Sequence, residues 1–173
     1  MRILGIDPGY AIVGYGVVDV PRGGLQPVAF GAVTTQAHTV FIDRLYEVHK
    51  DVTEVINTYK PDAMAIETLF YTSNQKTVME VAEARGVILL AAKTAGVPVF
   101  EYTPLQVKQS VSGYGRASKK QMQEMTRRLL RLTEIPKPDD AADALAMAIC
   151  HAHSAGSLQY GKAETKRQKM GYF

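Results

Sequence analysis

A single cysteine, Cys150, stands in 173 residues. One thiol supports neither a disulfide framework nor a cysteine-based zinc cluster, so a reducing cytoplasm is the expected compartment and Cys150 is expected to pack in the core. Long apolar runs are missing too: no window approaches the roughly 20 residues of a membrane span, so no membrane partner is expected. The opening Met-Arg-Ile-Leu has none of the marks of a signal peptide, and no internal repeat is present. Histidine offers no metal site. His38 and His49 show no partner spacing, and His151 and His153, two apart on a helix, point to different sides.

Net charge is also small, +3 from 20 basic and 17 acidic residues, but it is unevenly spread. Residues 108 to 137 carry Lys108, Arg116, Lys119, Lys120, Arg127, Arg128, Arg131 and Lys137 against only Glu124 and Glu134, a local charge of +6. The stretch from 154 adds +3, which leaves −6 for the remainder. A basic segment joined to an acidic one suits a polyanionic partner, although a solvated helix face with a loose basic tail produces the same count. The composition, 46% hydrophobic and 21% charged, is that of a soluble globular chain long enough to bury roughly 70% of its unfolded surface without a structural metal.

Apolar periodicity predicts the element order β-β-β-α-β-α-β-α-α-α. Arg2 to Asp7 reads as a short buried strand. Turns at Pro8-Gly9 and Pro21-Arg22-Gly23-Gly24 join it to strands at Ile12 to Val20 and Val28 to Thr35, an antiparallel meander. Leu45, Val48, Val52, Val55 and Tyr59 then mark an amphipathic helix stopped at Lys60-Pro61. Asp62 to Glu67 is a strand, a helix follows to about Gly96, and Val97 to Tyr102 is the fifth strand. Thr103-Pro104-x-Gln106 and Ser118-x-x-Gln121 are capping boxes. The second of these opens a helix with Met122, Met125, Leu129 and Leu132 inward and Lys120, Arg127 and Arg131 outward. Asp139 caps a last helix to about His153. The expected architecture is α/β, a mixed five-stranded sheet flanked by helices.

Four acids fall where burial makes charge costly. Asp7 and Glu67 each close an apolar strand at its C-terminal end, where α/β sheets bind ligands. Asp140 and Asp143 share one face of the apolar last helix. Singly, each has a plainer explanation: Asp-Pro-Gly is turn chemistry, Asp139 and Asp140 suit a helix N-terminus, and Asp143 can face solvent. Taken together, converging carboxylates call for cations, and oxygen-only donors favour Mg²⁺ or Mn²⁺. Two such ions about 3.5–4 Å apart form the clamp used in phosphodiester displacement.

The motifs Leu4-Gly5-Ile6-Asp7-Pro8-Gly9, Ala65-Ile66-Glu67-x-x-Phe70 and Asp139-Asp140-Ala141-Ala142-Asp143-Ala144 resemble those of the RuvC family of bacterial Holliday junction resolvases. Thr103-Pro104-x-x-Val107-Lys108 and Gly113-x-Gly115-x-Ala117-x-Lys119 resemble further segments of it. The likeness covers about residues 1–153, in order. It implies a ribonuclease-H-like nuclease domain over 1–153; residues 154–173, which lack periodicity, are expected to form a basic, flexible tail. It further implies a homodimer that resolves four-way DNA junctions by paired symmetric nicks in recombination and repair, with RuvA–RuvB as partner machinery. Asp7, Glu67, Asp140 and Asp143 inherit the metal-binding catalytic role, with two Mg²⁺ per subunit and Mn²⁺ as substitute. Lys108 and Lys119 are expected near the scissile phosphate, and Phe70 with Tyr71 as a wedge between bases, against the plainer expectation of a core phenylalanine. Lys76, Arg116 and Lys120 are candidate backbone contacts or simply a solvated face. The apolar helix from about Val78 to Ala92 suits a dimer seam or full burial in one subunit.

Two other functions share parts of this pattern. Gly-Ile-Asp-x-Gly also opens sugar kinases and chaperone ATPases, but those folds duplicate the domain and carry a second phosphate loop. A non-catalytic nucleic-acid-binding module would keep the basic surface and use the carboxylates structurally.

Overall fold

The computed structural model describes residues 1–69 and 75–158, with the backbone alone at 75–77 and 156–158. Strands β1 (Arg2–Asp7), β2 (Ile12–Asp19) and β3 (Gln26–Thr34) are followed by helix α1 (Phe41–Tyr59), β4 (Ala63–Glu67), α2 (Gln75–Thr94), β5 (Val99–Tyr102), α3 (Pro104–Ser112), α4 (Lys119–Leu129) and α5 (Asp139–Leu158). This is the order the periodicity predicts. The strands form one sheet in the order β3-β2-β1-β4-β5. The first three are antiparallel neighbours, and β4 and β5 run parallel to β1.

Strand β1 lies at the centre of the sheet and is covered on both faces, which is why it reads as an unbroken apolar run. Leu4 and Ile6 point into a core with Val13, Val17, Met64 and Ile66, closed by Val48, Val52 and Ile56 of α1 and Ile88, Ala91 and Ala92 of α2. The alternate residues Ile3 and Ala65 face the other core, with Val107 and Val111 of α3, Met122 of α4, and Leu145 and Ile149 of α5.

Local signals set the element ends. The hydroxyl of Thr103 accepts a hydrogen bond from the Gln106 amide at 3.2 Å while the Gln106 side chain accepts from the Thr103 amide at 2.8 Å; Ser118 and Gln121 repeat the pattern at 3.3 and 2.8 Å. Helix α1 ends where Lys60 turns left-handed at φ 46°, just before Pro61, which cannot extend the ladder.

Several details depart from expectation. Ile56 rather than Val55 is the fully buried residue of the last turns of α1, because the helical period places 52 and 56 on one line. Arg127 does not simply project outward: it donates to Glu124 at 2.8 and 3.0 Å and to the Leu132 carbonyl at 3.0 Å, tying the last turn of α4 to the segment that follows it. Asp139 is the first residue of α5 rather than its cap, and α5 continues to Leu158, five residues beyond the expected end at His153. Residues 159–173, most of the expected tail, lie outside the described residues.

Helix α5 lies directly on the sheet because three glycines remove the side chains that would hold it away. A Cβ at Gly5 would overlap the Ala144 carbonyl oxygen, one at Gly14 would overlap the Asp140 carbonyl oxygen, and one at Gly16 would meet Leu145 Cδ2 at 2.8 Å. The neighbours at Gly5 and Gly14 are backbone, which cannot rotate aside. Farther along α5, His151 is buried, shares a 2.7 Å hydrogen bond with the Tyr102 hydroxyl and stacks on Phe100 at 4.3 Å. Burial lowers its pKa to about 4.

Two measurements test this packing. Gly5→Ala should lower the unfolding free energy in urea by about 1–3 kcal/mol or more through overpacking, whereas Gly23→Ala, in an open turn with nothing near it, should cost less and only through its backbone conformation; equal losses would contradict the close approach. His151 is neutral in the fold but takes up a proton in the unfolded chain below pH about 6.5. Its stabilisation is therefore complete above that pH and is lost as pH falls toward about 4. Relative to wild type, His151→Gln should lose less stability between pH 7 and 4, read as a difference in urea midpoints; parallel curves would refute the assignment.

Candidate active site

Asp7 ends β1 and Glu67 ends β4, and because Ile6 and Ile66 are directly paired across the parallel ladder, the two acids follow side by side at the C-terminal edge of the sheet. Asp7 is also paired with Gly14 of β2, the glycine on which the Asp140 backbone rests. The close approach of α5 thus delivers its first turns to the ends of the two central strands. An open cleft of about 310 Å³ results, lined by Asp7, Glu67, Asp143, Lys108, Lys119 and Met147.

These acids strain against one another. Burial raises the Asp7 carboxyl, and the charges of Asp143, Glu67 and Asp140 raise it further, to about 7. Burial first and Asp143 second raise Glu67, with Lys108 pulling the other way. Burial also raises Asp143, opposed chiefly by Lys119. Asp140 is half-buried and its charge is felt at Asp7, so all four predicted acids belong to one electrostatic unit. Groups that perturb one another this strongly in a cleft mark a functional site more often than a structural one.

Lys119 provides the local counter-charge. Its Nζ lies 3.1 Å from Asp139 Oδ2 and 3.6 Å from Asp143 Oδ2. Its ammonium holds Asp139 below the usual carboxylate range. Pairing between the lysine of the fourth helix and the acids of the fifth is a contact that spacing along the chain does not reveal. Nor does it reveal Met122 and Met147 as apolar walls of the cleft. Lys108 lines the same cleft from α3. Arg116 and Lys120 are exposed, and Lys120 borders a separate groove with Tyr114, Glu124 and Arg128. Phe70 and Tyr71 lie outside the described residues, as does the side chain of Lys76.

Among the described residues, no group of three or more acidic, histidine or cysteine side chains is drawn tightly enough together to enclose an ion. Asp7, Glu67 and Asp143 line a shared cleft, with the Lys119 ammonium between Asp143 and Asp139. As a donor set, however, they are all oxygen and mutually repelling, which suits a hard divalent cation and not a soft one.

A model of the RuvC family, described as crossover junction endodeoxyribonuclease RuvC, matches residues 3–151. The crossover junction endodeoxyribonuclease RuvC of Caldanaerobacter subterraneus subsp. tengcongensis is 54% identical over 165 residues, which is 94% of this chain and the whole of that one. Among solved structures, Thermus thermophilus RuvC is 38% identical with a TM-score of 0.85, covering 91% of this chain and 96% of its own. The same protein in complex with Holliday junction substrate matches with the same identity and TM-score over 90% and 94% of the two chains. The fold is accordingly ribonuclease-H-like. The expected motifs, the sheet that carries them and these matches along nearly its full length agree, and the chain belongs to the RuvC family of crossover junction endodeoxyribonucleases.

Proposed function

We propose that this chain resolves four-way DNA junctions by metal-assisted hydrolysis of phosphodiester bonds, with Asp7, Glu67, Asp140 and Asp143 as the acids that hold the metal. The observation that carries this reading is the convergence of Asp7, Glu67 and Asp143 on one cleft, with Lys108 and Lys119 on its walls, in a chain of this family. Bound there, divalent ions (two Mg²⁺, with Mn²⁺ able to replace them) would neutralise the carboxylates and stabilise the charge of the displaced phosphodiester.

The protein's own groups divide the remaining work. Asp7, half-buried among the other three acids, would be the central ligand. Its raised pKa reflects a carboxylate whose ionisation is costly until a cation is present. Lys108 and Lys119 attract the phosphate that the acids alone would repel. The 3.1 and 3.6 Å ion pairs of Lys119 are largely exposed and hence weak. Lys119 can therefore exchange a carboxylate for a phosphate at little cost. Exposed Arg116 and Lys120 extend the basic surface away from the cleft. Phe70 and Tyr71, which follow Glu67 by three and four residues, are assigned the wedge between bases on the family resemblance.

Symmetric paired nicks need two such clefts, hence two copies of the chain. Helix α2 offers a face for the second: Met79 and Leu90 are 70% and 57% exposed, and Gly86 between them has open space where a side chain would stand. The family assignment supports RuvA–RuvB as partner machinery, a place in recombination and repair, and action in the cytoplasm. No described helix is long and apolar enough to cross a membrane.

Asp7→Asn should reduce cleavage of a synthetic four-way junction in Mg²⁺ by on the order of a thousandfold, about 4 kcal/mol of barrier, while junction affinity changes little. Near wild-type cleavage, or wild-type cleavage in excess EDTA, would exclude the mechanism. Without metal, the same site predicts the opposite effect on stability. A folded-state pKa of about 7 against an ordinary 3.8 means that the fold holds the proton more tightly than the unfolded chain, so stability is lost as pH rises from about 4 through about 7. In EDTA at pH 8, Asp7→Asn should therefore melt at a higher temperature than wild type, with the gain shrinking at pH 5. Adding Mg²⁺ or Mn²⁺ should raise the wild-type melting temperature more than that of the variant. An unchanged or lowered melting temperature in EDTA would show that Asp7 is not under this strain.

A further inference from the structure

On the sheet face opposite α5, the α2 side chain of Arg85 reaches the edge of the sheet directly behind Glu67. Its Nε donates to the Glu67 main-chain carbonyl at 3.2 Å, and its Nη2 lies 2.9 Å from Glu101 Oε2 on β5. The two side chains are only 12% and 13% exposed. The Glu67 carbonyl belongs to the same peptide unit as the Thr68 amide, and that amide donates to the Tyr102 carbonyl at 2.9 Å. One peptide plane is thus pinned at both ends: its N–H by β5, its C=O by α2. Tyr102 directly follows Glu101, so Arg85 and β5 hold each other as they hold that plane. A peptide fixed at both ends fixes ψ of Glu67, and with it the direction in which the Glu67 carboxylate leaves the sheet.

We propose that Arg85, braced by Glu101, is the positioning residue for Glu67. Neither residue touches the cleft; both act through the backbone. Stability gives little reason for the pair, since replacing a buried ion pair with apolar side chains of similar size is often neutral or stabilising. The choice of arginine points the same way: a guanidinium can donate to the Glu67 carbonyl through Nε while Nη2 stays in ion-pair contact with Glu101, whereas a lysine ammonium is a point charge that cannot span that fork. Ligands of catalytic ions are commonly held by such outer partners, and losing one costs about tenfold to a hundredfold in metal affinity or activity. The inference takes Glu67 to be a metal-binding acid, as proposed above.

Two variants of the full chain test it. Arg85→Met with Glu101→Leu removes both charges, so that no unpaired ion stays buried; Arg85→Lys keeps a charge beside Glu101 but loses the fork, and it carries the test if the double variant does not fold. In each, junction affinity measured in EDTA should stay within about twofold of wild type, while cleavage turnover at saturating junction falls about tenfold to a hundredfold and the Mn²⁺ concentration for half-maximal turnover rises. Hydrogen exchange of the Thr68 amide, measured without metal, should quicken relative to that of Ile66. Turnover within about twofold of wild type, or slowed turnover with unchanged Thr68 exchange, would overturn the proposal. Should Asp7→Asn prove active, the metal reading fails instead, and the exchange of Thr68 alone decides whether Arg85 holds this peptide.

Discussion

The site depends on how closely one helix approaches one sheet. Helix α5 rests its backbone on Gly5, Gly14 and Gly16, so that the Ala144 and Asp140 carbonyls occupy space that any larger residue would fill. A helix on a sheet ordinarily stands off by the depth of two side chains. Removing those side chains on the sheet lowers α5 far enough for acids in its first turns to share a cleft with acids at the strand ends. Ala141, Ala144 and Ala148, which share one face of the helix, do the same from the helix side, and all are buried. An alanine-rich helix on a glycine-lined sheet buries little apolar area per residue. Larger residues beside this seam, including Leu145 and Ile149, make up the packing.

Proximity on this scale sets the electrostatics. Four carboxylates with only Lys108 and Lys119 beside them carry unbalanced negative charge, and part of that imbalance appears as the raised pKa of Asp7. The protein therefore tolerates strain in the metal-free state that a divalent ion would relieve, which links metal occupancy to the stability of this edge of the sheet. Because its ammonium is shared between Asp139 and Asp143, Lys119 moderates the repulsion without cancelling it. A stronger internal counter-ion, such as a buried bidentate arginine, would stabilise the empty cleft and compete with the metal.

Much of this was legible along the chain, for identifiable reasons. Strand ends at Asp7 and Glu67 follow from apolar runs closed by an acid. The helix starts at Thr103 and Ser118 follow from capping boxes, whose partners lie only three residues away. Such local signals survive in one dimension. What was hidden depends on neighbours far apart in sequence: the Lys119 pairs with Asp139 and Asp143, the Arg85 bridge to Glu67 and Glu101, and the burial of His151 against Tyr102 and Phe100. Spacing along the chain gives His151 no ligand partner, and in the fold its Nδ1 shares a hydrogen bond with the Tyr102 hydroxyl. The glycines at 5, 14 and 16 stand in the sequence, but their purpose requires knowing which helix lies on them.

The separation of charge along the chain, +6 in residues 108–137 and −6 outside that segment and the basic C-terminal stretch, becomes contact in the fold. Helices α3 and α4, which bring Lys108 and Lys119, pack against α5, which brings Asp140 and Asp143. A uniformly basic surface would bind DNA with no preference for the point of cutting, and a uniformly acidic one would repel it. On the proposed reading, opposite charges within one cleft would make phosphate binding and metal binding mutually dependent: cations would lower the repulsion that an incoming phosphate meets, and the phosphate would complete their neutralisation. Charge placed this way would favour cutting where the lysines and the acids meet, because neither the basic wall nor the acidic floor of the cleft suffices alone.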